Sequence, residues 1–308
     1  MLDVLYRSAV VPLTLGLSVL LGFTWACDSS PPPARVQAEA NLEQDQPALE
    51  LSFGIYTSDA ATEMVKQFAP ATAALESALS VELDRPVRIS LKVASTYEAG
   101  VNDLVEGRVD FARMGPASYV MAKEREPGIR ILAMESKKGE KIFYGVICVH
   151  ADSEIEALEQ LKGERFAFGD SRSTIGRFLA QELLLENGIE AEDLGGFDYL
   201  GRHDKVGMAV GSEMYAAGAL KEGTFKKLVA KGEPIRVLAR FPNVTKPWIA
   251  PADLDPILFV AIQKALLEMT DKKALKALKK DGFLVGTDSD YDPIRSAIGA
   301  SREFGAGS

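Results

Sequence analysis

The sequence predicts an α/β protein of two similar lobes, with mainly parallel sheets flanked by helices, on three observations. Short runs of alternating hydrophobicity are interleaved with longer runs of helical period. That is the pattern of strands joined by crossover helices. The helix–turn–strand unit at 105–112 (Val-Glu-Gly-Arg-Val-Asp-Phe-Ala) is echoed at 210–217 (Val-Gly-Ser-Glu-Met-Tyr-Ala-Ala), each copy followed by a turn and a new helix start. Finally, the chain has 308 residues, 47% apolar and 26% charged. This is ordinary globular usage with ample length for a core.

The elements follow in order. Residues 49–56 alternate through Leu51, Phe53 and Ile55 and read as a strand. A helix is expected from Asp59, a plausible N-cap, with Met64, Val65, Phe68, Leu75 and Leu79 on one side. Pro70 should kink or split it. Further strands are expected at 87–93, 109–112, 129–134 and 142–149, with helices at 97–106 and 116–125 between them. The second half should bring a helix ending at 162–163, strands at 166–168, 197–200, 215–219 and 235–240, and helices at 173–187, 203–211 and 222–231. The tail reads as three helices, near 254–269, 272–280 and 291–301. The second of these carries five lysines and reads as a solvated face.

The N-terminus has a different character. Arg7 precedes a mostly apolar run over 10–26 that ends at Ala26-Cys27. A basic start, a short apolar region and a small residue before a break describe an export signal, expected over 1–26. Cys27 then reads as the lipidated first residue of a membrane-anchored lipoprotein. Plain secretion and a retained anchor are the alternatives, because Thr24 and Trp25 fit the lipoprotein pattern poorly. Residues 27–48, rich in Pro, Ala, Gln and Glu, read as a flexible tether.

Composition narrows the function. Thirty-five basic against 44 acidic residues give a net charge of −9, without a basic tail. This argues against a nucleic-acid partner. Two cysteines exclude a disulfide framework, and two histidines leave little for a zinc site. Cys148, in an apolar strand, reads as a core residue. No Ser-His-Asp or Cys-His set stands out, so no enzyme is expected and no cofactor is implied.

The polar turns carry the chemistry. Gly169-Asp170-Ser171-Arg172-Ser173-Thr174-Ile175-Gly176 lies between a strand and a helix. Unpaired N–H groups, hydroxyls and the helix dipole would make an anion site there. The bland alternative is that Ser173 only caps the helix. The Gly-Lys-Ser/Thr ending of a nucleotide P-loop is missing. Met114-Gly115-Pro116-Ala117-Ser118-Tyr119 is a second strand-to-helix turn, which an ordinary Gly-Pro helix start would also explain. The turns at 56–59 and 95–97, with Tyr56 and Tyr97, are two more. Ligands of open α/β sheets sit at the carboxyl ends of strands, so these turns could share one cleft. His203, opening a helix, could donate to an anion or simply sit near a cap.

These turns, in this order, resemble the phosphate/phosphite/phosphonate-binding proteins of bacterial ABC importers, over residues 51–298. The resemblance rests on Gly54-Ile55-Tyr56, the stretch 105–119, Phe143-Tyr144-Gly145-Val146-Ile147, the turn 169–176, His203, and Ala216-Ala217-Gly218-Ala219 with Glu222. It implies the two-lobe type II periplasmic-binding-protein fold, with two hinge crossovers near 144–148 and 240–244. Lobe 1 would comprise 49–144 plus 244–308, and lobe 2 145–243. It further implies that Ser173 and Thr174 grip the oxyanion, that His203 donates to it, and that Tyr97 lines the cleft. Tyr56, Gly115 and Ser118 would stand at its edges. Glu222 matches an acidic position that can hold a ligand amine. Ile175 replaces a frequent third hydroxyl, and no second carboxylate stands near Thr245-Lys246, so a compact oxyanion is at least as well suited as an aminoalkyl one. The implied partners are a small oxyanion, ABC permease subunits and a membrane reached through the lipid, with a periplasmic monomer expected. A sensor that delivers its closed state to a receptor or histidine kinase stays open, since it would use the same fold.

Overall fold

The computed structural model describes residues 46–56 and 61–304. The expected signal segment 1–26, most of the tether, the lipidation candidate Cys27 and the expected cap Asp59 lie outside the described residues.

In chain order the strands are β1 (Leu49–Tyr56), β2 (Val87–Ala94), β3 (Phe111–Arg113), β4 (Arg130–Ser136), β5 (Ile142–His150), β6 (Phe166–Phe168), β7 (Phe197–Tyr199), β8 (Ala217–Lys221), β9 (Ile235–Val244), β10 (Pro247–Ala250) and β11 (Gly282–Leu284). The helices are α1 (Ala61–Glu82), α2 (Tyr97–Val105), α3 (Pro116–Arg125), α4 (Leu179–Glu186), α5 (His203–Gly211), α6 (Glu222–Val229), α7 (Pro256–Leu267), α8 (Lys272–Leu278) and α9 (Asp292–Phe304). Two sheets result, one ordered β11-β4-β10-β3-β1-β2 and the other β7-β6-β8-β5-β9.

The first sheet is held by its aromatic centre. Phe53 of β1 stacks on Phe111 of β3 at 4.8 Å and on Trp248 of β10 at 4.5 Å between ring centroids. Such pairs add about 0.5–1.5 kcal/mol each beyond the area they bury. Alternation along β1 sends Leu51, Phe53 and Ile55 into this core, where Phe68, Leu75 and Leu79 of α1 meet them. Pro70 lies inside α1 without splitting it. The helix is carried across by its packed face, which outweighs the one backbone bond that a proline forgoes.

The strand pairing is more mixed than alternation predicts. Among the named strands, four adjacent pairs are parallel and five antiparallel. The cause is the path between sheets. β5 and β9 enter and leave the second sheet side by side, antiparallel from Ile142↔Val244 to His150↔Ile235. β10 then runs back through the first sheet between β3 and β4. β10 and β11 have four and three residues, too short to register as periodicity. Pro247 opens β10, a position where a strand tolerates proline. Where a helix was expected before 163, only the single tight turn Leu158–Leu161 forms.

The chain passes between sheets at 137–141 and at 245–246, so the expected divisions at 144/145 and 243/244 fall inside β5 and β9. α9, grouped by sequence with the first lobe, packs on the second sheet. There Phe304 meets Phe168 and Phe197 edge-on or tilted at 5.8 and 6.0 Å. Ser301 Oγ also donates to Gln181 Oε1 of α4 at 2.5 Å. Cys148 is fully buried in β5 and burial pushes its thiol up to about 12, as befits a core residue.

Candidate functional site

The carboxyl ends of β1, β3 and β6 point at one place between the sheets. Tyr56, the last residue of β1, is buried, and its ring stacks on Tyr97, the first residue of α2, at 4.1 Å. Its phenolic oxygen accepts from Gly115 N–H at 2.5 Å and exchanges a hydrogen bond with Ser118 Oγ at 3.0 Å. Burial raises the phenol above its ordinary pKa, so it stays protonated at neutral pH. Gly115 caps α3, and Pro116 takes the first helical position. A Cβ on Gly115 would lie 2.7 Å from the Tyr56 oxygen, so only glycine permits this approach.

The turn from β6 meets this corner from the other sheet. Ser173 Oγ accepts from Gly176 N–H at 2.9 Å, which is a helix cap. The next turn, Thr174–Phe178, is wide: Phe178 N–H donates five residues back to Ser173 O at 3.2 Å. Wide turns of this kind are frequent at functional sites. Gly176 lets the turn fold onto Gly169, because a Cβ there would come within 2.8 Å of the Gly169 Cα. Thr174 Oγ1 accepts from Ala117 N–H at 2.9 Å, so a hydroxyl from the second sheet rests on the N-terminus of α3. Both hydroxyls accept through oxygen and keep a proton to donate.

A cavity of about 20 Å³ lies between these groups. Six of the expected residues line it: Tyr56, Tyr97, Gly115, Ser173, Thr174 and His203. Ser118 does not line it. Its hydroxyl, on the first turn of α3, faces the Tyr56 oxygen, which it helps to orient. Glu222 does not line it either. Its carboxylate accepts from Arg240 Nε at 3.0 Å and pairs with Lys226 at 3.1 Å. Partial burial raises the Glu222 pKa, but these two cations outweigh that and hold it below the carboxylate range.

The family model for the periplasmic substrate-binding protein of phosphonate ABC transporters matches residues 53–291. The chain belongs to this family. A probable ABC transporter phosphite-binding protein of Prochlorococcus marinus is 28% identical over 186 residues, which is 57% of this chain and 60% of that one. A phosphate-import protein of Mycolicibacterium smegmatis is 24% identical over 241 residues, covering 68% of this chain and 74% of that one. The crystal structure of the Prochlorococcus protein in complex with methylphosphonate superposes with a TM-score of 0.72 at 22% identity, over 80% of this chain and 96% of that one. The match to the first of these curated relatives spans under two thirds of its length. The fold is thus that of periplasmic binding proteins, and the family is one of solute carriers for importers, not of enzymes.

Within this family member, sequence reasoning missed one wall of the cavity. Phe143, Lys221, Asn243 and Lys246 complete it beside Ile175. Asn243 is buried, and among the described residues neither its Nδ2 nor its Oδ1 has a hydrogen-bond partner. The signal was available: along β9, Phe241 is buried, Pro242 exposed and Asn243 buried, so a carboxamide occupies an inward strand position. The alternation predicts a strand only over 235–240, whereas β9 continues to Val244 and so takes in Asn243.

Proposed function

We propose that this chain captures a small phosphorus oxyanion, a phosphonate, phosphite or phosphate, and presents it to the permease of an ABC importer as a monomer in the periplasm. The observation that carries this reading is the convergence of neutral donors from both sheets on one small cavity. The hydroxyls of Ser173 and Thr174, the Tyr56 phenol, the Asn243 carboxamide and the N-terminus of α3 all face it. His203 adds a ring nitrogen donor. The hydroxyls, phenol, carboxamide and backbone N–H groups replace the hydration shell of an anion while remaining uncharged. Each charge-assisted bond contributes roughly 1.5–3 kcal/mol. Three or four of them would reach about −8 kcal/mol, or micromolar affinity, after ordering costs. The net charge of −9 is no obstacle, since local N–H dipoles dominate inside a closed cleft. The relatives' phosphite, phosphate and methylphosphonate point to the same ligand class.

Thermal unfolding and calorimetry with phosphite, methylphosphonate, phosphate and 2-aminoethylphosphonate test the reading. A ligand at 100-fold its Kd adds about 2.7 kcal/mol of stability. The first three are expected to bind, and the aminoalkyl compound to bind more weakly. If none of the four moves the transition, the cavity is not an oxyanion site. The same reading includes removal of residues 1–26 and lipidation at Cys27, motivated by the apolar run ending at Ala26-Cys27. Mass spectrometry of the mature protein decides it, and an unmodified Cys27 or an intact Met1 would exclude the lipoprotein reading.

A further inference from the structure

A larger cavity of about 460 Å³ opens beside the oxyanion cavity, and Phe143, Lys221 and Lys246 stand in the walls of both. It is large enough for a small organic group, whereas the first is far smaller and suits only a compact head group.

Its charge is opposite to that of the chain. On the side of the first sheet, the buried carboxylate of Glu135 faces two cations. Arg113 of β3 grips it with Nε at 2.8 Å and Nη2 at 3.2 Å, and Lys280 Nζ lies at 3.4 Å. On the side of the second sheet, Glu222 likewise faces two cations, Lys226 at 3.1 Å and Arg240 at 3.0 Å. Each carboxylate therefore meets twice its own charge. Lys137, Lys138 and Lys227 line the same cavity and form no ion pair with any described residue. The only other carboxylate in its walls is Glu140. Counting just these residues, seven cations stand against three carboxylates, an excess of four positive charges in a chain of net charge −9. Like charges gathered around a recess raise its potential, and that potential draws in an anion and repels an ammonium group.

We propose that the ligand carries two anionic groups: an oxyanion head in the small cavity, and a second carboxylate or phosphoryl group in the cationic cavity, between Arg113 with Lys280 on one sheet and Lys226 with Arg240 on the other. This rests on the oxyanion reading above and adds to it the chemistry of the substituent. A second anion in this position touches both sheets, so it reinforces closure as well as affinity.

Calorimetry on the whole protein compares methylphosphonate, 3-phosphonopropionate, methylenediphosphonate and 2-aminoethylphosphonate at low and high salt. At low salt at least one of the two dianionic compounds is expected to bind about tenfold tighter than methylphosphonate, and the advantage should shrink with salt. Which of the two leads identifies the second group as carboxylate or phosphoryl. The triple variant Lys137→Gln, Lys138→Gln, Lys227→Gln, all exposed positions outside the oxyanion cavity, is expected to reduce that advantage and leave methylphosphonate unchanged. If methylphosphonate binds and neither compound with a second anionic group binds tighter, the two-anion ligand is excluded while the oxyanion reading stands. If the advantage is present but insensitive to both salt and the triple variant, the second group does not sit in the cationic cavity and this placement is overturned. If no phosphonate binds, both fall.

Discussion

The hydroxyl of Thr174 accepts from Ala117 N–H, and that of Ser173 accepts from Gly176 N–H. Each therefore has a structural bond and a spare proton, and the two uses can be separated by mutation. Replacing both by alanine is expected to weaken binding of the cognate oxyanion by roughly 2–4 kcal/mol, since two donors to a charged group are lost. Folding stability should fall by about 1 kcal/mol for the helix cap at Ser173 and by about 1–3 kcal/mol for the buried Ala117 N–H left without its acceptor. Asn243→Leu makes the complementary change. It removes a buried carboxamide that has no described partner, so stability should hold or rise while affinity drops. Calorimetry paired with chemical denaturation checks both variants, and unchanged affinity in the double variant would place the ligand elsewhere. The hydroxyl turn was legible in the sequence because Ser, Thr and Gly between a strand and a helix have a local meaning. The displacement of Ser118 and Glu222 was not, because each is decided by a partner distant in sequence: Tyr56 for the first and Arg240 for the second.

Among the elements, the long periodic ones followed from sequence, as did the short strands β3, β6 and β7 beside their turns, but β10 and β11 did not. β1, β2 and α1 have eight residues or more, enough for alternation or helical period to show. β10 is invisible in isolation, yet it places Trp248 at the centre of the first sheet and aims its indole N–H at Glu135, 3.4 Å away. Nor is the tail helix face wholly solvated as its five lysines suggest, since Lys280 turns inward to Glu135. Glu135 gives this region a pH signature. Burial pushes its pKa up, but the charges of Arg113, Lys280 and Lys246, together with the Arg113 hydrogen bond, outweigh that and bring it to about 2 from 4.5. A carboxyl with a depressed folded-state pKa adds stability above its unfolded pKa. That stability is lost as pH falls through the folded value. Stability is therefore expected to decline between about pH 4.5 and pH 2 in part through this residue. Glu135→Gln should flatten that decline. It should also cost about 3 kcal/mol at neutral pH, because Arg113 is left buried without its counter-charge. Denaturation curves at several pH values check both statements, and an acid profile unchanged by the substitution would show that Glu135 does not govern it.

For the whole molecule, the arrangement of donors implies motion. Tyr56 and the N-terminus of α3 belong to the first sheet, and Ser173, Thr174 and His203 to the second, so the proposed oxyanion would bridge the two. Among the described residues, Thr174 on Ala117 and Arg172 with Glu98 at 2.9 Å already join them besides the crossovers. The second pair is exposed and contributes at most about 1 kcal/mol. α9 is a further restraint that the sequence division did not foresee. It packs on the second sheet, while Tyr291, at its root, is buried against Tyr119 at 4.7 Å and donates to Thr245 O at 3.1 Å. An opening motion would therefore pivot about both crossings, 137–141 and 245–246, and about Tyr291, where it need not break the core of either sheet. A ligand that bonds to both sides supplies the closing bias through its differential affinity for the closed state. Small-angle scattering is expected to show a smaller radius of gyration with methylphosphonate than without. Glu98→Gln, which removes one bridging charge pair, should enlarge the ligand-free form and weaken binding slightly through the added cost of closure. An identical radius in all three samples would mean that the two sheets stay closed without a ligand, and that the oxyanion enters through local movement at the turn of Ser173 and Thr174.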